Sequence, residues 1–492
     1  MPRINDGKNK IIRDPVHGYV EVDDDLIRTV VDTPIFQRLL RIQQTNLSVL
    51  YPSATHTRFE HSIGVFFLGR LLFDTICKNT CFEDFGKKKK DFEEKYRNTF
   101  LLACLLHDVG HAPLSHTGEE FFNKDELLVK LGSLGVSLEI IKQPAEHELM
   151  SCVVALSAFD GVLSKYEVDN DLFCRIITGV EYEPLVKVEE KDFKNILIKI
   201  LNSSFDVDKM DYIMRDSLSA GITTLTLDIY RIANSLAILS DNGIPRLAFK
   251  KVGFSVINNV INNRNYLYYW LYGHHKVQYH HNVLKRYIRE LKKHFPEQIG
   301  KLFSIGAIVD DKLDVNFTFL KSVKQVDDYD LFSIMKSSCI LNPKLQNYYE
   351  QIFERKHYSP MWKTKIEFDQ KCKQSTQLKE NLVTITNMAD DPIHNIEPTV
   401  AHLLSNAGID LKLGEFYIFN REFKLKFPDF EEKIYFLVPE CNPPFKKYSE
   451  LFSHEGVTPK SEIEKKMFFV FLQKRKKQHS ENLLKTLENI GR

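Results

Sequence analysis

Along most of the first three hundred positions, apolar residues recur at spacings of three and four, the period of one helix face, with charged and amide side chains between them. The pattern predicts helices over Leu26–Leu50, His61–Thr75, Asn98–Val109, Ile196–Asp216 and Ile257–Phe295. Ahead of them, Lys10–Val22 alternates in a strand-like manner, and Asp14-Pro15 and His17-Gly18 are turn signals within it. After about residue 365 the texture changes. Pro392, Pro398, Pro428, Pro439, Pro443, Pro444 and Pro459 crowd this part, and short β-like runs appear at Glu415–Phe419 and Lys433–Val438. An amphipathic, basic helix ends it. The pattern implies a mainly α fold divided into an N-terminal β-like segment (1–30), a helical core (31–300), a helical C-lobe (301–365) and a mixed α/β region (366–492). No fixed-period repeat or low-complexity tract interrupts it.

Composition narrows the function classes. With 492 residues, 43% hydrophobic and 12% aromatic, the chain can bury a substantial core, which excludes wholesale disorder. Sixty-seven basic against 66 acidic side chains give a formal net charge of +1. That removes any global electrostatic attraction to nucleic acid. Two local basic runs, Lys87–Lys90 and Lys474–Lys477, read as solvated surface, with contact to an anion or nucleic acid as the alternative. Near the chemistry described next, the longest clean apolar run is Leu101–Leu106, far short of the ~20 residues of a membrane span. The opening MPRINDGKNK lacks an apolar signal core. These features lead us to expect a cytoplasmic protein without a membrane partner. The eight cysteines include no second pair to complete a zinc site with Cys77 and Cys81, and Cys104 and Cys152 read as small core residues.

Four helical segments carry histidines and acids. The first is Arg58-Phe59-Glu60-His61. The second is LLACLLHDVGHAPLSH, which contains His107, Asp108, His111 and His116. The third is Glu146-His147-Glu148. The fourth is FDVDKMDY, with Asp208, Lys209 and Tyr212, running on to Asp216. Imidazole with carboxylate suits a transition-type divalent metal, whereas all-oxygen sites suit Mg and Ca. Neighbours such as His107 and Asp108 differ by ~100° around a helix, so they can chelate one ion only from a helix end or across a cavity. His61 and Asp208 are the natural partners to complete that site. A position left open to water would supply a nucleophile at neutral pH. Asp208 and Tyr212, at i and i+4, share a face. Each motif alone also fits a structural role: a polar helix end for His107-Asp108, an N-cap for Asp206 or Asp208. Their occurrence together, in order and with helical spacers, favours one shared site.

In this arrangement the chain resembles the HD-domain phosphohydrolases, whose signature runs H…HD…D. The segments IIRDPVHGYVEV, TPIFQRLLRIQQ, SATHTRFEHSIGV, LLHDVGHAPLSH, FDVDKMDYIMRDSLSAGI and NRNYLYYWLYGHHK narrow the resemblance. They point to the deoxynucleoside triphosphate triphosphohydrolases, nearest the branch of the vertebrate sterile-alpha-motif and HD-domain enzyme and its bacterial relatives. The likeness covers roughly residues 10–360. It implies an α-helical HD core that cleaves a dNTP to deoxynucleoside plus triphosphate, with a divalent metal cofactor (Mg, Mn, Fe, Co, Ni or Zn). Position by position, it implies His61, His107, Asp108 and Asp208 as metal ligands and His111, His116 and His147 as histidines facing the phosphates. It also implies Arg58, Lys209 and Arg264 as a cationic phosphate clamp, Tyr212 and Asp216 near the sugar, and Gln44 at the 3′-hydroxyl. Expulsion of the deoxyribose 5′-oxygen calls for an acid, and His116 is assigned that role; the alternative is a helix-capping histidine after Pro113. Arg264 and Tyr272 lie eight apart on what reads as one helix and either face the pocket or pack. Thr45 and Gly273 stand where the vertebrate enzyme has a leucine and a glutamine, and Glu119 replaces an aspartate.

The expected activity is thus control of dNTP pools, for which depriving a phage of precursors is one use, by a homo-oligomer with a nucleotide activator. Two alternatives remain at this level. One is an HD phosphohydrolase of ribonucleotides, a nucleotide second messenger or a phosphomonoester. The other is a non-catalytic nucleotide or nucleic-acid sensor.

Overall fold

The N-terminal alternation folds as an antiparallel hairpin: β1 (Asn9–Asp14) pairs with β2 (Gly18–Asp23), from Asn9↔Asp23 to Asp14↔Gly18. Asp14 shapes the turn itself, its Oδ1 accepting the backbone N–H of Val16 at 2.8 Å and of His17 at 2.7 Å. Gly18 follows at φ +79°, a left-handed conformation that glycine adopts without strain. The computed structural model describes residues 3–4, 7–141, 145–183, 191–203, 205–241, 244–390, 396–420, 435–438, 445–447, 450–451 and 467–490. Pro392, Pro428, Pro439, Pro443, Pro444 and Pro459, and the first part of the run Lys433–Val438, lie outside those residues.

The fold is mainly α, but three predicted helices are not continuous. Leu26–Leu50 is a series of short turns: Asp24–Leu26, a π-helical Ile27–Val31, Pro34–Gln37, and 3-10 turns at Arg38–Arg41 and Asn46–Val49. Thr33 caps Phe36 and Pro34 occupies the first helical position, so the chain restarts there. The Arg38 guanidinium is wholly buried and donates to the backbone carbonyls of Val326, Val109 and His111. That anchoring replaces a regular helical ladder. Ile196–Asp216 breaks because Asp206 turns its side chain onto the backbone N–H of Lys209 at 2.7 Å and of Ser203 at 2.8 Å. Ile257–Phe295 breaks after a π-helical run, Leu267–Tyr272, and restarts at His275.

Two compact units result: Met1–Asn265 with Leu291–Ser337 and Lys426–Gly456, and Tyr266–Glu290 with Ser338–Leu425 and Val457–Arg492. Their boundaries interleave along the chain rather than following the consecutive segments 31–300, 301–365 and 366–492. In the first unit α1 (Arg58–Asn79) is the central element. Glu60 accepts from the backbone and hydroxyl of Thr57 at its start, and its sides are buried nearly all round. α2 (Lys89–Leu106), α5 (Lys191–Leu201) and α6 (Val207–Ser219) pack against it; α4 (Asn170–Thr178) lies on α2 and α5, and α3 (Glu146–Ala158) on α4. Leu101–Leu106 at the end of α2 is completely buried, so the chain meets the interior before it reaches His107. β3 (Leu236–Asp241) and β4 (Ile244–Lys250) form an antiparallel pair, with Tyr435–Leu437 parallel beside β4 and Phe445–Lys447 beyond it. α7 (Phe254–Tyr266) closes this run.

The second unit holds a three-stranded sheet in the order Ser359–Pro360, Phe468–Leu472, Phe416–Asn420. The buried Trp362 indole donates to the Phe468 carbonyl at 2.6 Å. Arg286 and Glu397 form a bidentate pair at 2.6 and 2.9 Å. Among the described residues no helix is long and apolar enough to cross a membrane.

Gly110 lets the segment after His107-Asp108 lie against α3: a Cβ there would come 2.2 Å from the Ser151 backbone nitrogen and 2.4 Å from the Met150 carbonyl carbon. Backbone cannot yield as a flexible side chain can. Gly110→Ala should therefore destabilise the protein by ~2–3 kcal/mol. Gly161→Ala, with nothing within 4 Å of the new methyl, should leave stability unchanged or slightly raised. Urea unfolding of the two variants beside the parent measures the contrast.

Candidate functional site

Four side chains distant in sequence meet in the first unit. His61 is in the first turn of α1, His107 and Asp108 lie just past the end of α2, and Asp208 is in the first turn of α6. His61 Nε2 lies 2.9 Å from Asp208 Oδ1, 3.3 Å from His107 Nε2 and 3.6 Å from Asp108 Oδ2. His107 Nε2 lies 3.4 Å from Asp108 Oδ1 and 3.8 Å from Asp208 Oδ1. The other nitrogen of each ring is committed: His61 Nδ1 donates to Asp211 at 2.7 Å and His107 Nδ1 to the Cys104 carbonyl at 3.0 Å. In the neutral form of each ring the lone pair is therefore on Nε2. Two imidazole lone pairs and two carboxylates facing one another form a set of acceptors without a donor, the requirement of a divalent cation. Nitrogen and oxygen ligands in adjacent positions around such an ion are ~3 Å apart.

Charge agrees with that fit. Asp14, Asp108, Asp208 and Asp211 contribute four negative charges to the connected network, and Arg58 and Arg215 contribute two positive ones. Two negative charges remain, those a divalent ion would neutralise. Without an ion, protons stand in. Burial opposes a charge on His61, but its hydrogen bonds to Asp208 and Asp211 outweigh this and push it up to about 10. Burial lowers His107, against the pull of Asp108. Burial would raise Asp108, but Arg58 beside it holds it well below the usual carboxylate range. For Asp208 the same opposition is won by His61.

A second cluster adjoins the first through His111. The His111 ring has no exposure; its Nε2 is 3.1 Å from Asp108 Oδ1 and its Nδ1 3.3 Å from Glu119 Oε1. Glu119 is hydrogen-bonded to His116 Nδ1 at 2.7 Å, and its other oxygen lies 3.1 Å from His147 Nδ1. The His111 and His147 rings stack at 4.3 Å. Burial lowers His111 to about 4, with the Arg58 charge adding to the effect. Burial opposes charge on His147 too, but Glu119 pushes it up to about 9. Leu114 and Ser115 hold positive φ values of 61° and 55°, and the Leu114 N–H is tied to Asp328 at 2.6 Å. This strained turn delivers His116 to a site where 61% of its side chain stays exposed.

The remaining predicted residues are distributed around these groups. The Arg58 guanidinium contacts Asp108 at 2.7 Å, Ser115 Oγ at 2.9 Å, His116 Nε2 at 3.3 Å and the Gln44 carbonyl at 3.4 Å. Lys209 pairs with Asp206 at 2.7 Å. Tyr212 lies one turn after Asp208 on α6, and Asp216 accepts from His56 at 2.7 Å. Arg264 is buried on α7. α7 runs on directly into the π-helical Leu267–Tyr272, so Arg264 and Tyr272 lie on one helical stretch as expected, with Tyr272 as its last residue and part of the second unit. Sequence reasoning missed Asp211, His17, Arg215 and His56 as members of the site. The one local signal was the i, i+4 spacing of Asp211 and Arg215 on the helix of Asp208.

Comparison with known proteins places this geometry. Residues 58–156 match the HD domain, and the chain carries an HD domain there. It is 25% identical over 356 residues to the uncharacterized protein YwfO of Bacillus subtilis, covering 70% of this chain and 72% of that one. It is 30% identical over 278 residues to the deoxynucleoside triphosphate triphosphohydrolase SAMHD1 homolog of Dictyostelium discoideum, covering 56% of this chain and 47% of that protein. With the SAMHD1 enzyme of Danio rerio it shares 26% over 323 residues, covering 63% and 50%. The chain thus spans about half the length of these two relatives. A phosphohydrolase structure from Bacteroides thetaiotaomicron, 20% identical, matches with a TM-score of 0.62 over 95% of this chain and 100% of that one, which shows a shared fold.

Glu119 sets a pH dependence in the metal-free protein. His147 is raised in the folded state, so its contribution to stability is complete below about 6.5 and disappears as pH rises through about 9. Unfolding free energy should fall between pH 6.5 and 9. Glu119→Gln should remove the His147 share of that slope and leave the share due to His61, and urea titrations across the range measure it.

Proposed function

We propose that this HD-domain protein is a metal-dependent dNTP triphosphohydrolase that releases deoxynucleoside and inorganic triphosphate by attack of water at the α-phosphorus. The observation that carries the reading is the set His61, His107 and Asp108, with Asp208 Oδ1 2.9 Å from His61 Nε2, beside a second cluster of three imidazoles and Arg58. The sequence relatives named triphosphohydrolases supply the substrate class. A divalent cation held by those four residues would supply Lewis-acid chemistry, polarising a phosphoryl oxygen and making water a better nucleophile at neutral pH.

The chain's own residues perform the rest. A nucleoside triphosphate brings about four negative charges, and Arg58, Lys209 and Arg264 are assigned to offset them. His111 and His147, oriented by Glu119, present imidazoles to the phosphates. His116 donates its Nε2 proton to the departing 5′-oxygen while Glu119 holds Nδ1. Gln44, Tyr212 and Asp216 are assigned to the sugar. The protein acts as a homo-oligomer under a nucleotide activator in this reading. One observation favours a second substrate class: Thr45 is small and polar, and its hydroxyl accepts the Leu47 N–H at 3.5 Å in capping the next turn. It presents little bulk against a 2′-hydroxyl, and ribonucleotides are the alternative substrates.

Purified protein incubated with each dNTP and NTP, singly and mixed, under Mg, Mn or Co should release triphosphate from dNTPs. ³¹P NMR of the products decides: orthophosphate or pyrophosphate overturns the proposed cleavage, and equal turnover of NTPs selects the alternative. His116→Ala should lower kcat by ~10²-fold or more with KM changed only a few-fold. Unchanged turnover in steady-state assays would remove His116 from the acid role.

A further inference from the structure

The N-terminal hairpin reaches the candidate metal centre through a single carboxylate. Asp211, on α6, has no exposure, and its two oxygens accept four donors. Oδ1 takes His17 Nε2 at 2.6 Å and Arg215 Nη2 at 2.9 Å; Oδ2 takes His61 Nδ1 at 2.7 Å and Arg215 Nε at 2.8 Å. A carboxylate saturated in this way stays ionised and obliges His61 to present Nδ1–H to it. The lone pair of His61 is then on Nε2, the atom that faces Asp208 and His107.

His17 comes from the hairpin turn, 194 residues away from Asp211 in sequence. Its side chain is 1% exposed, its ring lies 5.0 Å from that of Phe67, and its Nδ1 is buried without a hydrogen-bond partner among the described residues. A ring with one nitrogen dry and unpaired carries its proton on the other, so Nε2–H donates to Asp211. Asp14 gives the turn its second hold: Oδ1 shapes the backbone around His17 and Oδ2 accepts Arg215 Nη1 at 2.8 Å. The fit is close. A Cβ at Gly64, one turn beyond His61, would fall 2.0 Å from Asp211 Oδ1 and 2.4 Å from Arg215 Nη2.

We propose that His17 is a positioning residue of the metal centre: it fixes Asp211, which fixes His61 in its metal-binding tautomer, so that hairpin docking and metal binding strengthen each other. The inference rests on His61, His107, Asp108 and Asp208 being the metal ligands. Outer residues that orient a ligating histidine typically change metal affinity 10–100-fold. Linkage makes the coupling reciprocal: what the hairpin does for the metal, the metal does for the hairpin.

Two variants separate the hydrogen bond from the shape. His17→Phe keeps an aromatic ring beside Phe67 and removes the donor. His17→Gln returns an N–H near the place of Nε2. Mn²⁺ binding to the full-length chain, followed by EPR of the free ion, should weaken about 10- to 100-fold in His17→Phe and recover most of that loss in His17→Gln. In the wild-type chain, added Mn²⁺ should slow amide exchange within residues 9–23, a measurement that needs no variant to fold. Equal Mn²⁺ affinity in wild type and His17→Phe, equal losses in both variants, or unchanged exchange in the hairpin would each overturn the proposal while leaving the metal centre standing. A wild-type chain that binds no Mn²⁺, or binds it as well after Asp208→Ala, overturns the ligand assignment and this inference with it.

Discussion

An excess of buried negative charge is the constraint on which the first unit is built. Four connected carboxylates, Asp14, Asp108 and Asp211 buried and Asp208 with 33% of its side chain exposed, face two guanidiniums, and an unpaired buried charge costs several kcal/mol. Arg215 is clamped between Asp211 and Asp14, and Arg58 between Asp108 and neutral oxygens, so neither guanidinium can turn to Asp208 without leaving a carboxylate bare. His61 is pulled both ways, and in the absence of an ion a proton between it and Asp208 is the cheapest compensation. The same arrangement of charge makes the site receptive to a dication.

The position of these groups on their helices follows from the same cost. His61, Asp208 and His147 sit in first turns, and His107 and Asp108 just past a last turn. A helix interior surrounded by leucine and phenylalanine has no room for a charge, while a terminus brings its own unpaired backbone groups and can aim side chains along the axis. Asp208 at the start of α6 also gains from the positive end of the helix. The apolar stretch Leu101–Leu106 fixes α2 so that the two residues after it emerge at the junction. Hydrophobic burial thereby sets the position of the chemistry.

This explains what was legible in the chain. His61, His107-Asp108 and Asp208 stood out because a metal site needs unusual residue types at positions where apolar periodicity demands something else, and each lies at the edge of a clear helical pattern. The helices at His61–Thr75 and Asn98–Val109 were legible for the same reason. Leu26–Leu50 misled because its apolar spacing suits a helix, while the breaks are imposed by Thr33-Pro34 and by Arg38 reaching carbonyls as far off as Val326. Nothing near residue 38 records those distant carbonyls. His17 was hidden differently: beside Gly18 it read as turn material, and its partner Asp211 is known only once the hairpin is docked. Glu119 was visible as a departure from an aspartate, but its hold on three imidazoles was not.

That hold determines which histidine can move a proton. Glu119 is hydrogen-bonded to His116 Nδ1 and lies within 3.3 Å of the Nδ1 atoms of His111 and His147, so all three rings turn the same nitrogen toward one carboxylate. His111 lies between Glu119 and Asp108 with neither ring nitrogen in hydrogen-bond geometry, and burial and Arg58 depress it, which favours a neutral ring over an acid. His147 is raised by Glu119 and mostly enclosed, which suits a fixed positive charge toward a phosphate. His116 alone of the three is mostly open to solvent, with Nε2 beside Arg58. The acid role proposed for His116 therefore requires an anionic substrate to draw Arg58 away from that nitrogen. The longer reach of glutamate fits the arrangement, because one carboxylate must span three rings that arrive from two different stretches of chain.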